Sequence, residues 1–119
     1  MEGGRSMQDS ILNNIKKLLG ITDDYTHFDT DVIIYINSAL STLHQIGIGP
    51  HGGFRIGSAN EKWGEFRGTT DVLEDVKSYV YLKVRLIFDP PTNAFMVTAM
   101  EKQIDELTWR LSVKGGEEE

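Results

Sequence analysis

Residues 79–111 read YVYLKVRLIFDPPTNAFMVTAMEKQIDELTWRL, and the way this stretch is divided decides the fold. Val80, Leu82, Val84 and Leu86 alternate as a strand would, but the pattern opens at Asp71 and closes at Phe88, far beyond the length of an ordinary strand. Val72, Val76, Val80 and Val84 recur every fourth residue and so form one stripe along a helix. The charges fit a helix of that polarity: Asp71, Glu74 and Asp75 open it, Lys83 and Arg85 close it, and Asp71 and Glu74 have capping-box spacing. Pro90 disfavours helical geometry at Asp89, and neither Pro90 nor Pro91 can donate a backbone hydrogen bond, so the helix ends there. Thr92 or Asn93 then caps a last helix, in which Met96, Met100, Ile104, Leu107 and Leu111 form an apolar seam and Glu106 and Arg110 stand four apart as an ion pair. The result is an antiparallel helical hairpin. Its first arm is apolar on nearly every side towards its end, as expected of a central helix of a bundle or of a helix in a subunit interface.

Working towards the amino terminus, Ile11, Leu12, Ile15, Leu18 and Leu19 predict a short amphipathic helix stopped by Gly20. A second helix begins at a cap provided by Asp29 or Thr30, buries Val32, Ile33, Ile36, Leu40, Leu43 and Ile46, and stops at Gly47. Short connections make these helices neighbours in a small bundle. The fold class is therefore all-α, with four main helices and a long glycine-rich loop between the second and third.

That loop, residues 47–70, has glycine at 47, 49, 52, 53, 57, 64 and 68, interleaved with Phe54, Arg55, Ile56, Lys62, Trp63, Phe66 and Arg67. Ordering each of its residues costs about 1–2 kcal/mol, which a few aromatics buried at about 25 cal/mol per Å² offset poorly within one subunit. Two readings follow. The loop is mobile alone, or a loose two-strand flap or short hairpin, and is ordered by neighbouring subunits; or Trp63 and Phe66 tuck onto the subunit's own core.

The string YLKVRLIFDPP…AFMVTAMEKQIDELTWRL, preceded by a helix ending in LLGI and a second reading DTDVIIYINSALSTLHQIGIGP, resembles the head-tail connector (adaptor) proteins of long-tailed bacteriophages and related prophages over residues 7–113. The resemblance rests on a helical pattern and its punctuation rather than on a catalytic signature. It implies a virion assembly protein: a small helical subunit in a ring of roughly a dozen beneath the portal, in which a heterologous interface closes on itself. The implied partners are the portal protein, neighbouring copies and tail-completion proteins, with DNA as passing cargo. The implied location is the bacterial host cytoplasm during assembly and then the virion neck. In such a subunit Trp109, Arg110 and Val113 on the last helix are candidate contacts, as are Phe54, Arg55, Ile56, Trp63, Phe66 and Arg67 in the loop. Trp109 is rotated about 100° from the seam, and exposed tryptophans often anchor interfaces.

Composition bounds the alternatives. The chain has 119 residues, no cysteine and a net charge of −6, enough for one modest core and unsuited to a disulfide framework or thiolate metal site. No apolar run is long enough to span a bilayer and no signal peptide opens the chain. Residues 1–6 read as a tag or disordered start, 7–113 as a single domain and 114–119, KGGEEE, as a disordered acidic tail. A small helical DNA-binding or packaging-associated protein is the alternative function, but it calls for a basic recognition surface that Lys16, Lys17 and scattered arginines do not supply. An acidic wall instead suits a conduit from which duplex must not stick. His27, His44 and His51 share no helix face, Asp23–Asp24, Asp29–Asp31 and Glu74–Asp75 sit where caps and helix starts want acids, and the glycines lack a Gly-Lys-Ser/Thr ending. No enzyme, metal or cofactor is expected.

Overall fold

The computed structural model describes residues 9–66 and 70–118. Its elements are α1 (Ile11–Leu18), α2 (Asp29–Gln45), a single turn α3 (Trp63–Phe66), α4 (Thr70–Phe88) and α5 (Ala94–Glu118). No strand occurs among the described residues, so the loop forms neither a flap nor a hairpin; an isolated antiparallel bridge joins Ser10 to Lys62.

Helix α4 is the central element, packed against α2, α5 and α1. This explains its composition: Val72, Leu73, Val76, Tyr79, Val80, Leu82 and Val84 are all buried, because the helix is covered on several sides. The first arm of the hairpin is thus the middle of the bundle. Helix α5 packs chiefly on α4 through Met100, Ile104, Leu107 and Leu111. Met96, expected in that seam, is 53% exposed, because α4 ends at Phe88 and leaves the first turn of α5 without a facing helix.

The helix ends follow the sequence closely. Ser10 caps α1, accepting from the Asn13 amide at 3.1 Å. Gly20, at φ 86°, lets the chain turn so that Ile21 N–H reaches the Lys16 carbonyl and Gly20 N–H the Lys17 carbonyl. Gly47 repeats this at the end of α2, with Ile48 N–H on Leu43 and Gly47 N–H on His44. Asn93 caps α5, its Oδ1 accepting from Phe95 N–H at 2.8 Å and Met96 N–H at 3.3 Å. Neither Asp29 nor Thr30 caps α2, whose cap position is Phe28 and carries no side-chain bond. Asp29 is the first helical residue, and its carboxylate lies 2.8 Å from the buried ammonium of Lys16, held by charge rather than by hydrogen-bond direction. Lys16 also donates to the Asp23 carbonyl at 3.2 Å, tying α1 to the connection that follows it. Arg110 pairs across the bundle with Asp75 of α4, at 4.0 Å, and not along its own helix with Glu106.

Tyr79 of α4 is 2% exposed, and its hydroxyl faces the hydroxyls of Thr42 of α2 and Thr108 of α5, which themselves donate to the Ser38 and Ile104 carbonyls. Burial raises its pKa above the ordinary tyrosine value, and the two neighbouring hydroxyls oppose the rise without cancelling it. One phenol is therefore buried where three helices meet.

Candidate interaction surfaces

The bundle has two ends, and the chain path defines them. Phe88 at the end of α4 meets Phe28 at the start of α2, ring centroids 5.1 Å apart, so α2 runs antiparallel to α4. At the other end Gly115 of α5 lies against Ile46 and Gly47 at the end of α2. Helices α2 and α5 are therefore parallel, with a loop end carrying residues 46–66 and a hairpin end carrying residues 21–28 and 87–96.

At the loop end the long segment is fixed to its own subunit. Asn37 of α2 is buried, and its side-chain amide bonds both faces of one peptide residue: Nδ2 donates to the Ile56 carbonyl at 2.9 Å and Oδ1 accepts from Ile56 N–H at 2.8 Å. A residue whose N–H and C=O can be met by one amide is extended, so Asn37 stands where a neighbouring strand would. Further along, Ile11 N–H donates to the Glu61 carbonyl at 3.0 Å, Trp63 N–H to the Asp9 carbonyl at 3.1 Å, and the Trp63 indole to Asn14 Oδ1 at 2.9 Å. Trp63 and Phe66 are fully buried, Ile48 and Ile56 nearly so, and the Phe54 ring stands edge-on to Phe66 at 5.7 Å. Lys77 places its ammonium 5.8 Å from the Trp63 ring centroid. Of the two readings of the loop, the structure shows the one in which Trp63 and Phe66 tuck onto the core.

Glu61 organises the turn before α3. Its carboxylate accepts from Gly57 N–H at 3.0 Å, Ser58 N–H at 3.3 Å and the Ser58 hydroxyl at 3.4 Å. Burial alone would raise its pKa, but these bonds, with that from its own amide, outweigh burial and leave it lowered. Glu65 Oε2 accepts from Lys62 N–H at 3.1 Å and closes the first turn of α3.

These positions sort the candidate contact residues. Ile56, Trp63 and Phe66 lie inside the subunit; Phe54 is half-buried and Arg55 exposed; Arg67 lies outside the described residues. On α5, Trp109 is 68% exposed, Val113 one turn on is exposed, and Arg110 beside them is exposed with its guanidinium near Asp75. Phe95 and Val113 are five helical turns apart and fall on one line along α5, opposite the seam. The helix continues through residues 114–118, the segment expected to be a disordered tail, and Gly115 is buried where α5 crosses the end of α2. Residues 1–6 lie outside the described residues.

The hairpin end holds residues outside the sequence-based candidates. Tyr25, His27 and Phe28 form a run of ring contacts with centroids 4.7–6.1 Å apart, continued by Phe88. Around it, Tyr25 is 50%, Ile87 54% and Phe95 86% exposed. The signal for Phe95 was present, since it lies as far off the apolar seam as Trp109 does.

Among the described residues no group of three or more His, Cys, Asp or Glu side chains could hold a metal ion, and no helix is long and apolar enough to cross a membrane. Open grooves flank α2, one of about 550 Å³ lined by Ile34, Ser38, Ser41 and Arg55 and one of about 340 Å³ lined by Ser41, His44, Phe54 and Arg55.

A family model described as phage connector protein matches residues 11–118. No curated protein and no solved structure matches the chain. Members of such a family are structural components of the virion neck, and the described residues of this chain form an all-helical bundle. Spanning all four main helices and the loop between them, the match shows that the chain belongs to the phage connector protein family.

Proposed function

We propose that the protein is a subunit of the ring that joins the portal of a phage head to its tail and encloses the path of the DNA. Its action is mechanical: the bundle is a rigid wedge, and copies pack side by side through a heterologous interface that closes on itself. The observation that carries this reading is the outer face of α5. This helix packs chiefly on α4, leaving Trp109 and Val113 in the open, one turn apart on the side away from the core. A large aromatic held rigidly on a long helix makes an interface anchor at low entropic cost, and tryptophan is enriched among residues that dominate binding. Phe54, Arg55 and Arg110 are proposed to flank the same contact. The net charge of −6 supports DNA as cargo rather than ligand, since affinity for duplex rests on clustered cations. Assembly takes place in the host cytoplasm, and the portal can template a neighbour contact too weak to close alone.

Mass by light scattering across a concentration series, alone and with the cognate portal protein, tests the proposal. Ring-sized particles, or recruitment to the portal in near-stoichiometric copies, are expected, and both are lost in Trp109→Lys with unchanged thermal stability. A protein that stays monomeric and ignores the portal at every concentration would overturn it.

A further inference from the structure

A protein that joins two bodies needs two attachment surfaces, and the contact residues of the proposed ring interface lie at the loop end and along the outer face of α5. We infer that the hairpin end is a separate docking surface for a protein partner that offers an apolar recess rimmed by lysine or arginine. The inference rests on the connector reading and adds to it the place and chemistry of one of its contacts.

Tyr25, Ile87, Phe95 and Met96 are each at least half exposed, and Phe28 and Phe88 back them with a T-shaped ring contact. This is a continuous end of the bundle, since the α4–α5 connection is only residues 89–93 and Phe28 fixes the α1–α2 connection beside it. Exposed apolar side chains scattered singly need no explanation, whereas a group gathered at one end of a small domain marks an interaction site. The surface is also rigid. Asn93 caps α5 with two hydrogen bonds, Arg85 donates to the Asp89 carbonyl and to the Tyr81 hydroxyl, and Lys16 holds the other connection through Asp23 and Asp29.

The rim sets the partner's charge. Asp23, Asp24, Asp31 and Asp89 are exposed and form no ion pair among the described residues, and they outnumber the cations of this end, Lys17 and Arg85, the latter held by its bonds to the Asp89 carbonyl and the Tyr81 hydroxyl. Such a rim repels a nucleic acid and a second copy of the same end alike, and steers a basic protein surface. The loop end differs, because Arg55 and Lys62 offset Glu61 and Glu65 there, and Arg110 is paired with Asp75.

The test is hydrogen-exchange footprinting of the full chain bound to the purified portal ring and, separately, to the purified tail-side neck protein, with affinity measured for Phe95→Glu and for the double variant Asp23→Lys, Asp24→Lys. One of the two partners is expected to protect residues 22–28 and 87–96, and each variant to weaken that partner about tenfold or more, as loss of a binding hot spot does, without changing ring assembly. Phe95 is 86% exposed, so its replacement leaves the fold intact. Rings that form normally while neither partner protects this end would overturn the inference and leave the connector reading standing. Protection by duplex DNA, or by self-association of this end, would overturn it as well. A protein that neither assembles nor binds either partner would remove both.

Discussion

Replacing Asn37 by alanine tests whether a single amide holds the long loop to the bundle. The side chain supplies two buried hydrogen bonds, of 2.8 and 2.9 Å, to the N–H and C=O of Ile56, itself 3% exposed. Each of those backbone groups left unpaired costs about 1–3 kcal/mol. Water entering the space vacated by the amide recovers part of that cost, and alanine is up to about 0.7 kcal/mol better than asparagine within a helix. The net loss is therefore about 2–3 kcal/mol, or a fall of roughly 10 °C in midpoint for a domain of this size. Thermal and urea unfolding measure the global term, and exchange of the Ile56 amide measures local release. Asn37→Asp keeps an acceptor for Ile56 N–H but faces the Ile56 carbonyl with a carboxylate, so it should be at least as damaging. A loss below about 0.5 kcal/mol, the size of an ordinary surface substitution, with unaltered exchange at Ile56 would refute the idea that Asn37 secures the loop.

Two adjacent glycines in α5 should respond in opposite directions. Alanine at Gly115 would drive its Cβ into the Ile46 carbonyl and destabilise the protein, whereas alanine at Gly116, where a Cβ meets nothing within 4 Å, should stabilise it by about 0.5–1 kcal/mol; thermal unfolding of the two variants decides. Tyr79→Phe should cost about 1 kcal/mol, the worth of one hydrogen bond from its hydroxyl towards Thr42 or Thr108. Because the folded protein holds this phenol protonated to higher pH than the unfolded chain, its stabilisation is complete below the ordinary value of 10.0 and declines as pH rises past it; the variant should lose stability less steeply on that alkaline limb. Glu61 has the opposite sign. Its lowered pKa gives stability that is present above the ordinary value of 4.5 and lost as pH falls through the folded value, so Glu61→Gln should flatten the acid limb of stability against pH.

The helical hairpin was legible because Asp89-Pro90-Pro91 leaves the backbone no other course, and Gly20 and Gly47 were legible as stops because each must reach a positive φ for the turn that follows. The loop was not, and the reason lies in what an energetic estimate from sequence leaves out. Counting only aromatic burial omits Ile48 and Ile56, which become core residues, and omits the hydrogen bonds from Asn37, Asn14 and the Asp9–Ile11 backbone, none of which has a local sequence signature. Asn37 sits mid-helix among apolar residues, a position where a polar side chain needs a partner, and that was the available clue. Trp109 was placed correctly off its seam by helical geometry alone. Phe95 obeys the same geometry, but the seam drawn through Met96 drew the first turn of the helix inwards, and the exposed hairpin end was overlooked. Ion pairing was misjudged where sequence spacing competed with tertiary approach, as Arg110 shows by turning to Asp75.

The two tryptophans of the chain stand in opposite surroundings, Trp63 with 0% and Trp109 with 68% of its surface in water. Their fluorescence therefore divides into two independent signals. Emission from the sealed indole is blue-shifted and shielded from iodide, so it reports whether the loop end is intact. Emission from the wet indole is red-shifted and open to quenching, so a blue shift and protection there, with the first signal constant, would register a neighbour arriving. The unmodified protein thus carries its own probes of folding and of assembly, readable in one cuvette without a label.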